Sequence, residues 1–528
     1  MNSSSKAAWP RGLIGATFLF VLFLGLLASR RWEQFKSPQV WCEDGRIISG
    51  FIANGWREFL LPVNGYLILV PKIITRASLA ISTFYYPIVS TVLACLFSAG
   101  VGLAVAFSPT RLRGRVACAL SLFLVPSDAE VFGLPLYTLW WAPILLLLLA
   151  LWDERRSCLG LRLLFVAAGG LSSPFILVVW PVLCLRALWL RRRGAETAVA
   201  LAATLVSAVQ VKFILGGAHM ELPPGSSFLA YVVPKFCGWF LLGNFSEASA
   251  VLWPAGFLVM AVIAAFWIEG RRSPTAWILV YLYCGGVASS IFRNDPAALH
   301  PIRGGPRYFF FPFILTFWIL IQLLLATEIK WLRISLGTAL AVAVLNALPA
   351  WTRYHDDLHW AEHLASARLF SEYEIPIESD GHRFRAWSID EPGRTWNRLL
   401  REDGSVSPEK LATLPTFAYR VVKESDADTG WGSAASTGAY AARDETAPGR
   451  ERLFKLSAGS RLRFRSGRVT RSQSMQILGY ESVFLPDLPI TTDWVTLEFS
   501  NSRLPREFTV KVDDHGQGLG EWSESARN

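Results

Sequence analysis

The chain has 528 residues, of which 52% belong to the hydrophobic set AVILMFWYC and 17% are charged, and its mean hydropathy is +0.35. A soluble domain of ordinary composition carries about 25% charged residues, so the sequence predicts a membrane protein. Residues 1–351 contain 28 Lys and Arg against 14 Asp and Glu, whereas residues 352–528 contain 23 against 27. The basic excess therefore belongs to the apolar part, and the sequence offers no basic soluble domain that would bind nucleic acid.

Eleven apolar runs are predicted to cross the bilayer. The first, Gly12 to Ser29, is followed by Arg30 and Arg31 instead of a small-residue cleavage site, so we expect it to remain as a span. The runs at 116–127 and 161–173 are shorter than the roughly 20 residues that a bilayer requires, and we expect short helices broken at prolines. The predicted spans are 12–29, 85–108, 116–127, 131–152, 161–173, 174–190, 195–215, 250–268, 275–292, 308–326 and 334–351.

Arginines in alternate connections predict the orientation. With the N-terminus in the cytoplasm, the short inside turns carry Arg111, Arg113 and Arg191–Arg193, as the positive-inside rule requires. These arginines are predicted to serve topology alone. Residues 352–528 are then predicted to lie outside the cytoplasm.

The composition changes after Trp351, where the aliphatic runs end and charge rises. A helix is expected over Asp356–Glu374, and residues 424–450 have the composition of a loose linker. Strands are expected at Arg461–Arg465, Gln476–Leu485, Trp494–Phe499 and Glu507–Val512. The sequence therefore predicts a polytopic α-helical membrane domain, residues 1–351, followed by an extracytoplasmic mixed α/β domain, residues 352–528, built around a small β-sandwich.

The first long outside loop, residues 30–84, is predicted to hold two surface helices. In one, Ile47, Ile48 and Phe51 recur at helical spacing, which is typical of an amphipathic helix lying on the membrane face. The other is expected over Tyr66–Ser82. It carries Lys72 and Arg76 four residues apart and hence on one face.

Glu43 and Asp44, at the start of the first of these helices, are the first candidate site. Adjacent carboxylates at a membrane surface are costly unless a cation, hydrogen bonds or water stabilise them. One of them is a candidate general base for an acceptor hydroxyl, and the pair is a candidate site for a divalent cation such as Mg²⁺ or Mn²⁺. The alternative is a helix N-cap with a solvated acid beside it.

Asp128 and Glu130 form a second acidic cluster between two short spans, followed by Tyr137 and Trp140. Aromatic faces beside carboxylates suit a sugar, so these residues are predicted to form the wall of a glycan pocket. We expect both acidic clusters to line one outward cavity. The alternative is that Tyr137 and Trp140 are interfacial anchors.

A third cluster is cationic and lies on the predicted outer side, where topology gives no reason for arginine. It surrounds Gly304 and Gly305, which would let backbone approach a ligand, and arginine forks suit phosphate. Lys72 and Arg76 are further candidates for this role, and snorkelling towards lipid headgroups is the alternative. The residues of the third cluster are Arg293, His300, Arg303, Arg307 and Tyr308.

This layout resembles the GT-C superfamily of integral-membrane glycosyltransferases. The resemblance rests on the acidic pair Glu43-Asp44 just after the first span, the two helices in the same loop, the broken short spans and the C-terminal domain. Glu130 and Arg307-Tyr308 match more loosely. The pattern from Glu43 through Gly65-Tyr66-Leu67 to Pro71 also resembles bacterial membrane proteins of this group.

The resemblance implies an inverting transferase of the bacterial inner membrane. It would move a sugar from a polyprenyl-phosphate donor to a cell-envelope glycan or glycolipid on the outer face, with membrane lipid around it. Glu43 or Asp44 would act as general base, and Arg303 and Arg307 would stabilise the departing phosphate. A transporter or flippase of lipid-linked sugars and a non-catalytic scaffold are the alternatives. The sequence lacks an ATP-binding motif and a clear inverted repeat, which disfavours a transporter.

Overall fold

A computed structural model of the chain shows two compact units. The first comprises Met1–Lys36, Arg57–Ile74 and Ser90–Tyr354, and the second comprises Ser37–Trp56, Thr75–Val89 and His355–Asn528. The residues that the structure describes are 9–41, 43–156, 158–190, 194–216, 228–271, 273–292, 294, 298–353, 359–367, 372–377, 388–407, 410–411, 416–417, 420–422, 451–457, 461–465, 474–477, 483–484, 495–499, 507–513 and 521–525.

The α-helices are numbered here in chain order. They are α1 Trp9–Arg30, α2 Trp32–Lys36, α3 Asp44–Asn54, α4 Leu69–Ile81, α5 Tyr86–Phe107, α6 Arg115–Ser121, α7 Thr138–Trp141, α8 Ile144–Ala150, α9 Leu159–Gly170, α10 Ile176–Trp189, α11 Gly194–Leu215, α12 Phe228–Tyr231, α13 Trp239–Leu242, α14 Ser249–Glu269, α15 Pro274–Phe292, α16 Phe310–Ala326, α17 Lys330–Ala347, α18 Trp360–Ala367 and α19 Gly393–Asp403.

Seven helical segments in the described residues are long and apolar enough to cross a membrane. They coincide with seven of the predicted spans, which confirms the expectation of a polytopic helical protein. The segments are Leu13–Arg30, Tyr86–Phe107, Gly194–Leu215, Ser249–Glu269, Pro274–Ile291, Pro306–Ala326 and Lys330–Ala350.

The other four predicted spans are shorter helices in the structure. The run at 116–127 contains α6, and the run at 131–152 divides into α7 and α8. Helix α8 begins directly after Pro143, because proline fits the start of a helix but breaks its interior. Residues 132–137, which lie between helical segments, are buried, as irregular backbone in a membrane domain must be. The broken geometry is therefore confirmed, while the count of eleven crossings stays a prediction.

An apolar helical segment at Val232–Leu242 was not predicted. It includes a π-helical stretch, Val232–Gly238, in which Val233, Phe236 and Cys237 are buried. These residues lie between the predicted spans 195–215 and 250–268, where Pro234 and Lys235 interrupt the apolar run.

Helix α16 lies at the centre of the first unit. Of its candidate span, 83% is buried within the protein, the largest fraction among the seven described candidates. Aromatic side chains surround it: Phe175 stacks on Phe311 with ring centroids 4.5 Å apart, and Phe240 contacts Phe317 at 4.7 Å. A 3₁₀ turn, Pro306–Phe309, leads directly into α16. The first residues of this segment are therefore fixed by the best-packed part of the unit.

In the second unit, α3 packs its apolar face against protein. Ile48 shares a hydrophobic core with Ile375, Ile377 and Ile389. The prediction that this helix lies with its apolar face on the membrane was wrong, because that face is covered by the antiparallel pair β1 Glu372–Pro376 and β2 Ser388–Pro392. The same core contains Trp360 of α18 and Trp396 of α19.

The remaining strands form two larger antiparallel sheets and one short parallel pair, β3 with β8. The strand orders are β5-β10-β7 and β11-β6-β9-β4. In β10, Phe508, Val510 and Val512 are buried and alternate with more exposed residues, the period expected of a half-buried strand. The strand bounds are β3 Thr416–Phe417, β4 Arg420–Val422, β5 Glu451–Ser457, β6 Arg461–Arg465, β7 Ser474–Ile477, β8 Val483–Phe484, β9 Val495–Glu498, β10 Glu507–Asp513 and β11 Glu521–Ser525.

Strands β6, β9 and β10 agree with the predicted strands. The predicted strand over 476–485 is instead divided between β7 and β8. Of the predicted helix over 356–374, α18 is helical, whereas residues 372–374 belong to β1, so the helix prediction was wrong at its end. The predicted linker, residues 424–450, lies outside the described residues. That the two larger sheets form a β-sandwich stays a prediction.

In the first unit, a buried cluster of three charged side chains, the Glu196 triplet, connects three helices. Glu196 of α11 accepts hydrogen bonds from Arg162 of α9 at 2.8 Å and from Arg186 of α10 at 3.2 Å. All three side chains are at most 9% exposed. The pair of Arg111 and Glu154 is more exposed, at 28% and 20%. That Arg111 serves topology alone stays a prediction.

We expect Glu196→Gln to lower the free energy of unfolding by about 3 to 5 kcal/mol, because it leaves two buried guanidinium groups without their counterion. Unfolding of the purified protein by SDS titration would measure the change. Glu154→Gln is the matched control and should cost less than about 1 kcal/mol, since that pair is partly solvated. Equal losses in the two variants would contradict a special role for the triplet.

Candidate functional site

The Glu130 carboxylate lies at the centre of a polar cluster in the first unit. Its Oε1 accepts a hydrogen bond from the Tyr137 hydroxyl at 2.5 Å and from Arg307 Nη1 at 2.6 Å. Arg307 Nη1 also donates to the Tyr137 hydroxyl at 3.2 Å. The structure thus brings together three residues that the sequence analysis selected separately, across 177 positions between Glu130 and Arg307.

The second oxygen of this carboxylate, Oε2, is buried and has no hydrogen-bond partner among the described residues. Glu130 as a whole is only 2% exposed. A buried acceptor without a partner costs about 1 to 3 kcal/mol, more when it is charged. Such an atom needs a donor, which a bound water or a ligand hydroxyl would supply.

The segment that carries Glu130 is held by two further cations. Asp128 Oδ1 accepts from the backbone N–H of Glu130 at 2.9 Å and from Arg353 Nη1 at 3.1 Å. Arg30, at the end of α1, is fully buried and donates to the carbonyl of Ser127 at 2.8 Å. Asp128 therefore orients the turn, and its predicted role in binding a ligand gains no support from this geometry.

Aromatic rings lie beside the guanidinium of Arg307. The guanidinium of Arg307 lies 5.7 Å from the centroid of the Tyr137 ring and 5.2 Å from that of Tyr308. Tyr308 meets Trp140 edge to face at 5.5 Å. Tyr137 is a buried hydrogen-bond donor, so reading it as a simple interfacial anchor is wrong, whereas Trp140 and Tyr308 are half-buried beside Arg307.

A tight turn before Arg307 determines where it lies. His300 and Gly304 pair their backbones, and Gly305 adopts a left-handed conformation with φ of 67°. A Cβ on Gly304 would lie 2.4 Å from the carbonyl oxygen of Ala298. The prediction that these glycines let backbone approach a ligand was wrong for Gly304, because the close approach is to the chain itself.

His300 supports this turn. Its Nδ1 accepts from the backbone N–H groups of Ile302 at 3.1 Å and Arg303 at 3.2 Å, and its ring contacts Trp239. Burial lowers the pKa of His300, with the Glu247 carboxylate opposing the shift. A neutral imidazole can accept at Nδ1. His300 is thus a turn residue rather than the predicted substrate ligand.

Arg303 is separated from the cluster although it lies in the same turn. Its side chain is 73% exposed and pairs with Glu247 at 2.9 Å. A solvated pair of this kind is readily exchanged, so the structure gives Arg303 no distinct site. Arg293 lies outside the described residues.

Lys72 is buried and fully paired. Its ammonium contacts Glu58 Oε1 at 2.7 Å and donates to the carbonyls of Glu58 and Leu61. Since an ammonium has three donors, the prediction that Lys72 binds phosphate was wrong. Arg76 is half-buried with its guanidinium over Trp56, 5.3 Å from the ring centroid, and its phosphate role stays a prediction.

Glu43 and Asp44 stand at the start of α3, in the second unit. Asp44 is 1% exposed, and Glu43 occupies the N-cap position without a side-chain capping bond. The alternative of a capping side chain with a solvated acid beside it is therefore wrong, although acids at a helix start suit the helix dipole. The common cavity with Asp128 and Glu130 stays a prediction.

A divalent cation at this pair also stays a prediction. Within the described parts of the chain there is no group of three or more His, Cys, Asp or Glu side chains arranged to hold a metal ion. Two carboxylates alone would leave most of the coordination shell of Mg²⁺ to water and substrate oxygens. No step proposed below depends on a metal.

Neither the family models nor the curated proteins that were searched contain a match to this chain.

We expect acid to loosen the turn at His300. The folded pKa lies below the unfolded value of about 6.5, so as pH falls the unfolded state takes up the proton first and the free energy of unfolding decreases. His300→Asn keeps an acceptor oxygen at the same place but does not titrate. Thermal unfolding measured between about pH 7.5 and 5 should therefore show a smaller acid loss in this variant. An identical loss in both proteins would contradict the assignment.

Proposed function

We propose that the protein is an integral-membrane glycosyltransferase that moves a sugar from a polyprenyl-phosphate donor to a hydroxyl of a glycan or glycolipid. The observation that carries the proposal is the Glu130 carboxylate, whose Oε1 is held by Tyr137 and Arg307 while Oε2 has no partner among the described residues. Sugars are dense in hydroxyl donors, and Oε2 is an acceptor for one of them.

Two neighbouring features support the same chemistry. Trp140 and Tyr308 offer half-buried aromatic surface, against which a sugar ring can stack. Arg307 is 26% exposed at its side chain, and a guanidinium matches phosphate oxygens in geometry, so it can interact with a phosphate oxygen. A phosphate-linked sugar can be bound by a hydrogen-bond acceptor for its hydroxyls, an aromatic surface for its ring and a cation for its phosphate.

The reaction would be a single displacement. The acceptor oxygen forms a bond to the anomeric carbon, while the bond between that carbon and the phosphate oxygen breaks and its electron pair leaves with polyprenyl phosphate. The acceptor proton passes to a carboxylate base, which the resemblance to GT-C enzymes assigns to Glu43 or Asp44. Glu130 would bind a sugar hydroxyl, and Arg307 would stabilise charge on the leaving phosphate.

The finer architecture is part of this proposal. The four shorter predicted spans would complete eleven crossings of a bacterial inner membrane, and the C-terminal residues would lie outside the cytoplasm as a β-sandwich domain. That domain would bind the acceptor or add stability.

The direct test uses purified protein in detergent with a labelled polyprenyl-phosphate sugar and cell-envelope glycans. Release of polyprenyl phosphate together with a labelled glycan would identify a transferase, whereas a transporter or a scaffold would release none. The same assay on Glu43→Gln and Asp44→Asn would identify the base, because only its variant should lose activity and the ascending acid limb of the pH profile.

We expect Glu130→Gln to reduce turnover by about 100-fold or more, because the variant loses the charge that orients Arg307 and weakens the acceptor at Oε2. Unfolding temperature should be measured beside turnover, to separate lost chemistry from lost structure. Tyr137→Phe removes only one donor to Oε1 and should cost less, about 10-fold. Full activity of folded Glu130→Gln would sink the proposed site.

Arg307→Lys should lower turnover by roughly 30- to 1000-fold, because an ammonium keeps the charge but lacks the planar, two-pronged donor geometry that suits a phosphate. Arg303→Lys is the matched control, with the same substitution in the same turn at an exposed position. It should stay within about 2-fold of the parent. Equal effects of the two substitutions would assign both arginines to the membrane surface instead.

A further inference from the structure

Helix α19 presents a basic face that no role described above uses. In its sequence GRTWNRLLRED, Trp396 and Leu400 are buried in the core of the second unit. Arg394, Arg398 and Arg401 lie elsewhere on the helix, and at 3.6 residues per turn they fall within about 60° of arc. The helix therefore has one face in the core and one face of arginine.

These arginines are exposed, and none of the three has an ion pair or a hydrogen bond to another described residue. Asp403, at the end of the helix, accepts from the Ser82 hydroxyl and the Phe84 N–H. Glu402 is the acid nearest in sequence on the arginine side, and no ion pair between it and these arginines is present in the described residues. Arg394 stands in the first turn, where the helix dipole disfavours a cation. The helix dipole therefore does not explain the position of Arg394, whereas Arg401 in the last turn suits it.

A surface cleft of about 460 Å³ adjoins the same face, lined by Arg394, Asn397, Arg398, Arg401 and Glu402. Arginine forks match the oxygens of a phosphate diester, and three of them outweigh the single acid in the cleft. The shape and charge of this face suit an anionic headgroup rather than a neutral sugar.

We propose that the arginine face of α19 binds anionic phospholipid headgroups at the membrane surface. The apolar residues of α19 face the core, so binding would be electrostatic, without insertion of the helix into the acyl region. The chain carries helices long and apolar enough to cross a membrane, and in a membrane-embedded protein lipid headgroups are present at high effective concentration. The positive charge is local to this face and does not reflect the surrounding sequence, because residues 352–528 carry 23 cations against 27 anions. The inference does not depend on glycosyl transfer.

The test is hydrogen exchange of the full-length protein in lipid nanodiscs, followed by mass spectrometry of the peptide that contains Gly393–Asp403. Nanodiscs of phosphatidylcholine alone are compared with nanodiscs that contain about 30% phosphatidylglycerol. Each arginine near an anionic lipid surface strengthens the binding constant by about fivefold. We expect exchange in this peptide to slow by about fivefold or more with phosphatidylglycerol, and to recover in about 0.5 M salt.

The triple variant R394Q/R398Q/R401Q should lose this lipid dependence. The control R46Q/R57Q/K455Q removes three exposed cations elsewhere and should keep it. Exchange that is equal in the two kinds of nanodisc, or equal loss of protection in both variants, would overturn the proposal. Protection by inorganic phosphate or an acidic oligosaccharide in phosphatidylcholine nanodiscs, without an effect of phosphatidylglycerol, would assign the face to a soluble anion and overturn the lipid assignment.

Discussion

A charge removed from water must be compensated, and this constraint organises the first unit. Among its described residues, the ammonium of Lys72 pairs with Glu58 and donates to two carbonyls, and the carboxylate of Glu196 accepts from two arginines. The carboxylate of Glu130 differs, because one of its oxygens has two donors and the other has none in the described residues. In the Glu196 triplet both carboxylate oxygens have donors, although Arg162 Nε has no partner among the described residues. The carboxylate oxygen without a donor is the feature on which the proposed role of Glu130 rests.

The cluster around Glu130 is rigid because it is supported from two directions. Arg307 belongs to the 3₁₀ turn that enters α16, the most enclosed of the seven candidate spans in the described chain. Glu130 lies in an irregular segment whose backbone is tied to Arg30 through Ser127 and to Arg353 through Asp128. Irregular backbone can persist inside a membrane domain when the protein itself supplies such partners. The same feature that shortens the spans therefore positions the carboxylate.

Local patterns in the sequence predict the long helices well, since hydropathy over some 20 residues reflects the bilayer directly. They fail where packing decides. Helix α19 was missed because it is short and polar, and the segment at Val232 was missed because a proline and a lysine interrupt its apolar run. The spacing of Lys72 and Arg76 correctly indicated a helix face, but the Glu58 partner of Lys72 lies in a different element.

In the candidate site, too, the sequence predicts the individual residues but not how they pack together. Glu130, Tyr137 and Arg307 each stand out in the sequence as a rare charge or an aromatic residue at a predicted outer turn. The contact between these side chains could not be predicted, because Glu130 and Arg307 are 177 positions apart in the sequence and no periodic pattern connects them. Pairing across such a distance follows from the tertiary contacts of α16.

Arg303 and Arg307 show why charge alone does not define a site. They lie four residues apart in one turn, yet Arg303 is 73% exposed beside Glu247, whereas Arg307 is 26% exposed against a buried carboxylate. A solvated guanidinium gains little from one more partner, because water already satisfies its donors. A buried acceptor that lacks a donor would gain a whole hydrogen bond from a ligand hydroxyl, so under the proposed function binding would recover the free energy lost at Oε2. Burial, and not the sign of the charge, therefore separates Arg307, which the proposed function assigns to the site, from Arg303, which pairs at the surface.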